Sequence, residues 1–479
     1  MNEHSKWRWT ASLPWFAMAV WLSYAAWARG GTRPELLPPT AVMAIIAVGL
    51  VVLLPPKFRG ESYNAARGRV LLETLRDPLF YLGLALLILL GLQVGNSGRS
   101  LVFDDGARQW GYGPPPWPGW PSSVCRPEAV QMLYWFGGAW LILWCVRHGL
   151  DREARLRLLW ALSANGAALA LFGIVQYASG THRILWTTPL GCYFFASFGY
   201  PNHAGAYFVL LLAVSGGLLL RSIRRQERLT IRLAAALALL NLAGATLSFS
   251  RAGILLAWGL AAFGVFYAVR RAWHELSFPT RLNSVLVVAF VVATIVWLYA
   301  LTPANPVRLE LDTLSGIESS SPAARWVQIK VAGRIWADAP LFGVGGWGYR
   351  YFLGVYLPPE QWHKITSGQA NVHNDPMQFL AEFGVVGAGL LLTMWLVLML
   401  PALRLLRRIR GGMWQASPLP VALLVGTFLT LIHSMIDLPF RSPAILWLWL
   451  VCLACVPSLL TRGNGTAPGM VRGSVVEQP

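Results

Sequence analysis

Twelve stretches of about 20 mostly apolar residues constrain the fold of this chain more than any other feature. They lie at residues 12–28, 39–55, 78–94, 130–147, 157–177, 203–220, 230–248, 252–269, 282–301, 376–402, 418–436 and 442–461. A helix of about 20 residues crosses the hydrocarbon core of a bilayer, and in lipid it satisfies its own backbone hydrogen bonds. The sequence therefore predicts an all-α polytopic membrane protein with about twelve transmembrane helices.

The distribution of basic residues predicts the orientation of these helices. With the N-terminus in the cytoplasm, Lys and Arg are more than twice as dense in the inner loops as in the outer ones. Compact clusters lie at 221–232 and 404–410. Cytoplasmic loops carry such an excess, so we expect both termini inside. The net charge of +18 then reflects membrane topology, and no nucleic-acid partner is predicted.

The pattern divides the chain into four parts. Residues 1–301 hold nine helices and a Pro/Trp/Gly-rich outer loop at 95–129. Residues 302–375 form a large outer loop subdomain, residues 376–461 hold three more helices, and the polar tail 462–479 is expected to be disordered. The 95–129 loop is interpreted as an irregular surface cap, and stacking of its tryptophans on sugar rings is the alternative.

The large outer loop contains an amphipathic segment. Apolar Trp326, Ile329, Ala332 and Trp336 recur at helical spacing, which predicts a helix with these residues on its apolar face. The sequence Asp338-Ala-Pro340 ends this helix, and the glycines from 343 to 348 predict a flexible turn.

Two arginines of this segment have different expected roles. Arg325 is a candidate for function, with a solvated helix face as the alternative. Arg334 follows nine residues later, about half a revolution away on a helix, so the two cannot line the same pocket.

A polar triplet stands directly before the tenth apolar stretch, in the sequence HNDPMQFLAEFGVVG at 373–387. Asp375 is expected to cap the helix, and Pro376 suits its first turn. His373 and Asn374 would then be held at the mouth of a membrane helix. Glu382, two turns further on, is expected either to pair with an arginine or to support the structure.

Other polar residues are predicted at the same outer surface, where polar groups against a membrane are functional candidates. Arg251 lies in a tight outer turn, and the alternative is an arginine that reaches to the surface. Asn202 and His203 open another helix. Asp437 and Arg441 lie in the last outer turn, where they could simply pair with each other.

The cysteines carry little information. Cys125 and Cys192 both fall in outer loops, so a disulfide between them is geometrically open and not required. Cys452 and Cys455 form a C-x-x-C pattern within an apolar helix, and we interpret them as small core residues.

The outward set of arginines, a histidine and amides suggests a specific chemistry. Arginine forks match phosphate oxygens, and an imidazole can accept a proton near neutral pH. No metal-binding or nucleotide-binding pattern accompanies the set. A phosphate site, a base and a membrane together indicate transfer from a lipid diphosphate.

Several motifs resemble the O-antigen ligase and O-antigen polymerase superfamily. They are PNHAG at 201–205, SRAG at 250–253, Arg325-Trp326 followed by PLFGVG at 340–345, and the His-Asn segment at 373–387, in the order found in that family. The resemblance covers roughly residues 160–400 and implies a membrane-embedded, GT-C-type, inverting glycosyltransferase that needs no metal and no cofactor.

The resemblance also implies roles for residues. His373 matches the catalytic histidine of the family, and Arg251 and Arg325 match the two arginines that hold the diphosphate. Seven further residues are expected to help bind substrate: Asn202, His203, Asn374, Asp375, Glu382, Asp437 and Arg441.

The implied partners are an undecaprenyl-diphosphate-linked oligosaccharide donor, a glycan or lipid A–core acceptor, membrane lipid and other polysaccharide-assembly proteins. The reaction would take place at the periplasmic face of a bacterial inner membrane. The last outer turn, HSMIDLPFRSPA, is similar to exopolysaccharide polymerases and favours a polymerase over a ligase. A transporter of the same lipid-linked glycan is a third hypothesis, to which the absence of an internal repeat is unfavourable.

Overall fold

The computed structural model describes residues 13–58, 60–106, 109–190, 193–272, 322–357, 370–408 and 417–460. The helices in this part of the chain are α1 (Leu13–Trp27), α2 (Leu37–Leu53), α3 (Tyr63–Leu75), α4 (Pro78–Gly95), α5 (Arg126–His148), α6 (Arg152–Ala178), α7 (Pro201–Arg225), α8 (Arg228–Thr246), α9 (Arg251–Ala272), α10 (Pro322–Asp338), α11 (Tyr349–Tyr356), α12 (Asp375–Arg408), α13 (Pro418–Ser434) and α14 (Pro443–Leu460). Two short antiparallel hairpins pair β1 (Leu101–Asp104) with β2 (Gln109–Tyr112) and β3 (Arg183–Ile184) with β4 (Thr188–Pro189).

The helices confirm the all-α polytopic membrane class. Within the described residues, nine helices are long and apolar enough to cross a membrane. The apolar helices α1 and α13 are shorter, with 15 and 17 residues. Together they coincide with all the predicted spans except 282–301, which lies outside the described residues, as does the tail 462–479.

Helices α7 and α14 lie at the centre of the bundle, and most of their residues are buried. Helix α7 packs against α8, α9 and α13, while α14 packs against α5 and α13. Two glycines let α7 and α9 approach closely, because a Cβ on Gly253 would stand 2.7 Å from the Cα of Gly205. These glycines belong to the PNHAG and SRAG motifs, so the motifs meet at one end of the bundle.

Helix α12 is interrupted at Gly384, which has φ 61 and ψ −169. The segment 340–345 crosses the break and satisfies its backbone groups. The amide of Gly345 donates to the carbonyl of Glu382 at 2.8 Å, and the amide of Val385 donates to the carbonyl of Pro340 at 2.9 Å. An apolar helix can therefore bend here without leaving polar backbone groups unpaired.

The glycines of the 343–348 segment are packed, which corrects the prediction of a flexible turn. Gly343 has φ 66, and a Cβ there would come within 2.4 Å of the backbone of Glu382. A Cβ on Gly345, at φ 90, would come within 2.5 Å of Ser123. Only glycine fits a left-handed conformation with this close backbone approach.

The helix predicted in the large outer loop is present as α10, and it ends at Asp338 as expected. Its buried face is rotated from the prediction. Val331, Ala332 and Ile335 are buried, whereas Trp326 is 57% exposed. The apolar residues of α10 form two overlapping stripes at helical spacing. The stripe that contains Val331 and Ile335, not the predicted one, packs against α12.

The 95–129 loop contains the β1–β2 hairpin, so it is more regular than predicted. The side chain of Asn96 organises its second half by accepting from the amide of Trp117 at 2.8 Å and donating to the carbonyl of that residue at 2.9 Å. Trp110, Trp117 and Trp120 are all more than half exposed. Cys125 is a free thiol, and Cys192 lies outside the described residues.

Candidate functional site

His373 is held at the start of α12 in a left-handed backbone conformation, with φ 52. The helix begins one residue after Asn374, whose Oδ1 accepts from the amide of Met377 at 2.9 Å. Asn374 also donates from Nδ2 to the carbonyl of Met435 at 2.8 Å. Asn374 is therefore the N-cap, which corrects the prediction that Asp375 caps this helix. The cap ties the histidine to the turn between α13 and α14.

Asp375 is buried and has a different function from the predicted one. Its Oδ2 accepts from the amide of Phe440 at 2.9 Å. This bond reaches the same turn between α13 and α14 that Asn374 contacts. Asn374 and Asp375, at the start of α12, thus fix the turn between α13 and α14 against the histidine.

Asp437 is the centre of the polar network at this end of the bundle, and it is 2% exposed. The hydroxyl of Tyr200 is 2.9 Å from both carboxylate oxygens, the amide of Leu438 donates at 2.8 Å, and Nδ2 of Asn202 donates to Oδ2. Burial alone would raise the pKa of Asp437, but His373 and the donors outweigh it and lower that pKa to about 2. Burial and Asp437 raise the pKa of Tyr200 well above its usual value, so the phenol stays protonated and donates.

His373 and Asp437 face each other. The Nδ1 atom of His373 lies 3.6 Å from Oδ1 of Asp437, which is within ion-pair range and too long for a good hydrogen bond. That nitrogen is buried without a hydrogen-bond partner, while the side chain as a whole is 16% exposed. A small approach of the two groups would complete a carboxylate–imidazole pair with Nδ1 toward the carboxylate.

A chain of hydrogen bonds leads from Asp437 to the start of α9. Asn202 donates to Asp437, and its Oδ1 accepts from the hydroxyl of Ser250 at 2.7 Å. Ser250 also accepts from the amide of Gly253 at 3.0 Å, as expected of a residue that caps a helix. Arg251 is the first residue of α9. The predicted candidates Asn202 and Arg251 thus lie at the same end of the bundle as Asp437.

Arg325 reaches the same turn from α10. Its Nη1 donates to the carbonyl of Ile436 at 3.1 Å, one residue before Asp437. Arg325 is half-buried, whereas Arg334 is exposed on the other side of the helix, as predicted. The structure therefore brings His373, Arg325 and Asp437 together from three separate parts of the sequence.

His203 contacts the turn between α13 and α14. One of its ring nitrogens, Nε2, is 3.0 Å from the carbonyl of Leu438, and its ring packs edge-on against Tyr200 at 5.0 Å between centroids. This contact engages the imidazole with the protein backbone.

Arg441 and Glu382 form a buried ion pair close to Asp375. The Nη2 atom of Arg441 donates to Oε2 of Glu382 at 2.6 Å, and the two side chains are 2% and 0% exposed. The Nε atom of Arg441 lies 3.9 Å from Oδ1 of Asp375. The guanidinium also lies between the rings of Trp347 and Phe379, at 4.8 and 4.7 Å from their centroids. Such sandwiching on aromatic faces stabilises a desolvated arginine.

This arrangement decides two alternatives that the sequence left open. Glu382 pairs with an arginine, and that arginine is Arg441. Asp437 instead accepts hydrogen bonds from Tyr200 and Asn202, so the two charged residues of the turn between α13 and α14 bind different partners. We call the pair of Glu382 and Arg441 the buried latch.

Sequence reasoning missed several residues of this network. Tyr200 directly precedes the PNHAG motif, and an amphipathic side chain beside a polar motif at a helix start was the available signal. Trp347 lies in the glycine-rich segment after α10, where nothing in the local pattern indicates an arginine partner. Among the described residues, no group of three histidines, cysteines or acids is arranged to hold a metal ion.

Comparison with known proteins gives one informative result. The model of the O-antigen ligase family matches residues 234–392, which include Arg251, Arg325 and His373. No curated protein matches the chain. The match covers one third of the sequence and runs from α8 into α12. It confirms the resemblance for the motifs from SRAG onward, whereas PNHAG at 201–205 lies outside the matched range. The match supports membership of this multi-pass membrane protein in the O-antigen ligase and polymerase superfamily.

Proposed function

We propose that the protein transfers a glycan from undecaprenyl diphosphate to an acceptor sugar hydroxyl at the periplasmic face of the inner membrane. One observation carries the proposal. His373 and Arg325 meet around Asp437 at one end of an apolar helical bundle, and Arg251 opens a helix tied to the same network. The O-antigen ligase match, which covers His373, Arg325 and Arg251, also supports a membrane glycosyltransferase.

The residues divide the reaction between them. The acceptor hydroxyl loses its proton to His373 and forms a bond to the anomeric carbon of the donor. The bond from that carbon to the phosphate oxygen breaks, and undecaprenyl diphosphate leaves with the electron pair. Attack from the face opposite the leaving group inverts the anomeric centre, and the leaving group is an anion that needs no general acid.

Arg251 and Arg325 stabilise the charge that grows on the diphosphate. Electrostatic stabilisation of this kind is worth about 3–4 kcal/mol for each group. Because two cations are supplied by the protein, a metal is not required for this step.

Asp437 acts as the positioning residue for His373. With Nδ1–H directed to the carboxylate, Nε2 is the basic nitrogen, and the negative charge stabilises the imidazolium formed by proton transfer. The buried latch and Asp375 hold the turn that carries Asp437 against α12.

In this proposal both termini are cytoplasmic, and residues 302–375 form the periplasmic subdomain that carries Arg325. The transmembrane helices within residues 1–301 and 376–461 hold the polyprenyl chain and position the polar network around Asp437. A polymerase that passes the growing chain to another lipid-linked repeat unit is slightly favoured by the last outer turn. The second candidate is a ligase that transfers the chain to lipid A–core, and the family match is compatible with both candidates.

The test uses purified protein with a polyprenyl-diphosphate-linked repeat unit, with and without lipid A–core. A ladder of products without lipid A–core indicates a polymerase, and a single conjugate that requires lipid A–core indicates a ligase. Translocation of the lipid-linked glycan in vesicles without a new glycosidic bond would support a transporter instead.

Matched variants make this test specific. Arg325→Ala should lower transfer at least about 100-fold, whereas Arg334→Ala, on the exposed face of the same helix, should leave it unchanged. His373→Asn should also abolish transfer, and asparagine tolerates the left-handed backbone at this position. Wild-type rates in both Arg325→Ala and His373→Asn would overturn the proposal.

A further inference from the structure

Helix α3 is too short to span a membrane and was not predicted among the spans. It has 13 residues, and the hydroxyl of Ser62 caps it by accepting from the amide of Ala65 at 3.2 Å. A helix of this length extends only about 20 Å. Its location, and an exposed surface that is apolar on one side and charged on the other, nevertheless indicate that α3 binds a partner.

The helix lies at the level where three apolar helices end. Arg67 donates to the carbonyls of Val52 and Leu53, at the C-terminal end of α2, at 3.2 and 3.0 Å. At its other end, α3 leads into Asp77, which caps α4 and pairs with Arg147 in the last turn of α5. Since α2, α4 and α5 are all candidate membrane spans, α3 lies at a membrane boundary.

One face of α3 packs against the protein. Ala66, Val70 and Thr74 are buried, and the hydroxyl of Thr74 accepts from the indole of Trp144 at 2.9 Å. This anchor fixes the rotation of the helix about its axis, so the residues on its other faces have defined directions.

The exposed surface of α3 is divided into an apolar and a polar side. Leu71, Leu72 and Leu75 are 60%, 47% and 49% exposed. Arg69 and Glu73, which form an ion pair at 3.5 Å, lie on the other side. At 100° per residue the leucines occupy one continuous arc opposite the buried face. Three exposed leucines beside a charged arc are typical of a helix that lies in a membrane interface.

The charges around the helix determine the kind of lipid. Between Lys57 and Arg76 the sequence contains five basic and two acidic residues. Both acids are engaged by Arg69, since Glu61 binds it at 3.1 Å and Glu73 at 3.5 Å. The excess positive charge complements anionic headgroups.

We propose that α3 is an interfacial helix that binds anionic phospholipids in the leaflet where α2 ends, with its leucines among the acyl chains and Arg76 at the headgroups. This surface lies at the opposite ends of the helices from the candidate site, and the proposal does not depend on the glycosyltransferase function.

The test compares two neighbouring positions, Leu72→Cys and Glu73→Cys, each labelled with an environment-sensitive fluorophore in a background with Cys125→Ser and Cys192→Ser. In nanodiscs, spin-labelled lipids should quench the label at position 72 strongly and the label at position 73 weakly. Equal quenching at both positions, or energy transfer between labelled copies in place of lipid quenching, would overturn the proposal.

Lipid selectivity is measured at position 72 with spin-labelled phosphatidylglycerol and phosphatidylcholine. The anionic lipid should be preferred about fivefold, which corresponds to about 1 kcal/mol for a basic residue near an anionic surface. Arg76→Gln should remove this preference and keep the difference between positions 72 and 73. Equal quenching by the two lipids in the protein that retains Arg76 would contradict the specificity for anionic lipid.

Discussion

The two ends of the helical bundle each contain a buried carboxylate beside a histidine, and the two are built differently. At one end, Asp77 accepts from Arg147 at 2.8 Å and contacts Nε2 of His148 at 2.9 Å. At the other end, Asp437 takes its hydrogen bonds from neutral donors, and the nearest nitrogen of His373 is 3.6 Å away. Both carboxyl groups have a pKa lowered to about 2 against the effect of burial.

The two clusters differ in whether the histidine nitrogen that faces the carboxylate is hydrogen-bonded to it. The Asp77 cluster joins α4 to α5 with short bonds to Arg147 and His148, and the arginine neutralises the carboxylate within the protein. The Asp437 cluster leaves the histidine 16% exposed and its Nδ1 without a hydrogen bond. A buried carboxylate with a closed set of partners is a structural connection, whereas one that faces an incompletely bonded imidazole can support a reaction.

The largest expected effect is a difference in transfer rate between variants of the two carboxylates. Asp437→Asn should lower glycan transfer by about 10²–10⁴-fold, because the imidazole loses the charge that orients it and stabilises its protonated form. Asp77→Asn should leave transfer per folded molecule within about twofold. The rates are measured on purified variants, with folded protein quantified by gel filtration. Similar losses in both variants would remove the proposed distinction.

The buried latch should have the next largest effect, on stability. Arg441→Met leaves Glu382 and Asp375 without a cation in a dry environment, which we expect to cost about 3–5 kcal/mol of unfolding free energy. Combining Arg441→Met with Glu382→Gln should recover part of this loss. Thermal unfolding in detergent measures the series, and additive losses in the double variant would contradict a coupled pair.

Asp77 should stabilise the fold by about 2 kcal/mol, since a fall in its pKa from 3.8 to about 2 is worth about 1.4 kcal/mol per pKa unit. A carboxyl group with a lowered folded-state pKa stabilises the protein above the unfolded value and loses that contribution as the pH falls. The advantage of the native protein over Asp77→Asn should therefore be full above about pH 4–5 and shrink between pH 4 and pH 2. A difference independent of pH would indicate that packing, not charge, is responsible.

The smallest expected effect concerns the cap of α12. Asn374→Ala should destabilise the protein by about 1 kcal/mol, the usual cost of losing an N-cap. Asn374→Asp keeps the acceptor for the amide of Met377 and loses the donor to Met435. If capping dominates, the aspartate variant is the more stable of the two. The opposite order would show that repulsion between the new carboxylate and the carbonyl of Met435 outweighs the cap.

Much of the fold was predictable because it depends on local properties. The apolar runs gave the membrane class and the positions of the described spans, and Asp338-Ala-Pro340 correctly ended α10. The buried face of α10 was predicted wrongly, since Trp326 is exposed and Ile335 is buried. Several apolar stripes satisfy a helical period in that segment, and contact with α12 is a long-range property.

The candidate residues were predictable individually, and their partners were not. Motif positions indicated His373, Arg325 and Asn202, but assigning the cap to Asp375 was wrong. In the folded chain Asn374 caps the helix, and Asp375 binds the amide of Phe440, which is 65 residues away. Local helix-capping preferences cannot distinguish two adjacent polar residues when one of them is recruited by a distant turn.

The sequence by itself determined that this chain spans a membrane many times and presents polar motifs at one end of the spans, because hydrophobic length and charge bias act locally. Only the tertiary structure decided that Asp437 faces His373, that Arg441 binds Glu382, and that the glycine-rich segment closes the break at Gly384. These contacts join residues far apart in the chain. Helix packing alone brings them into contact, and burial makes each unmatched polar group costly enough to favour a polar partner.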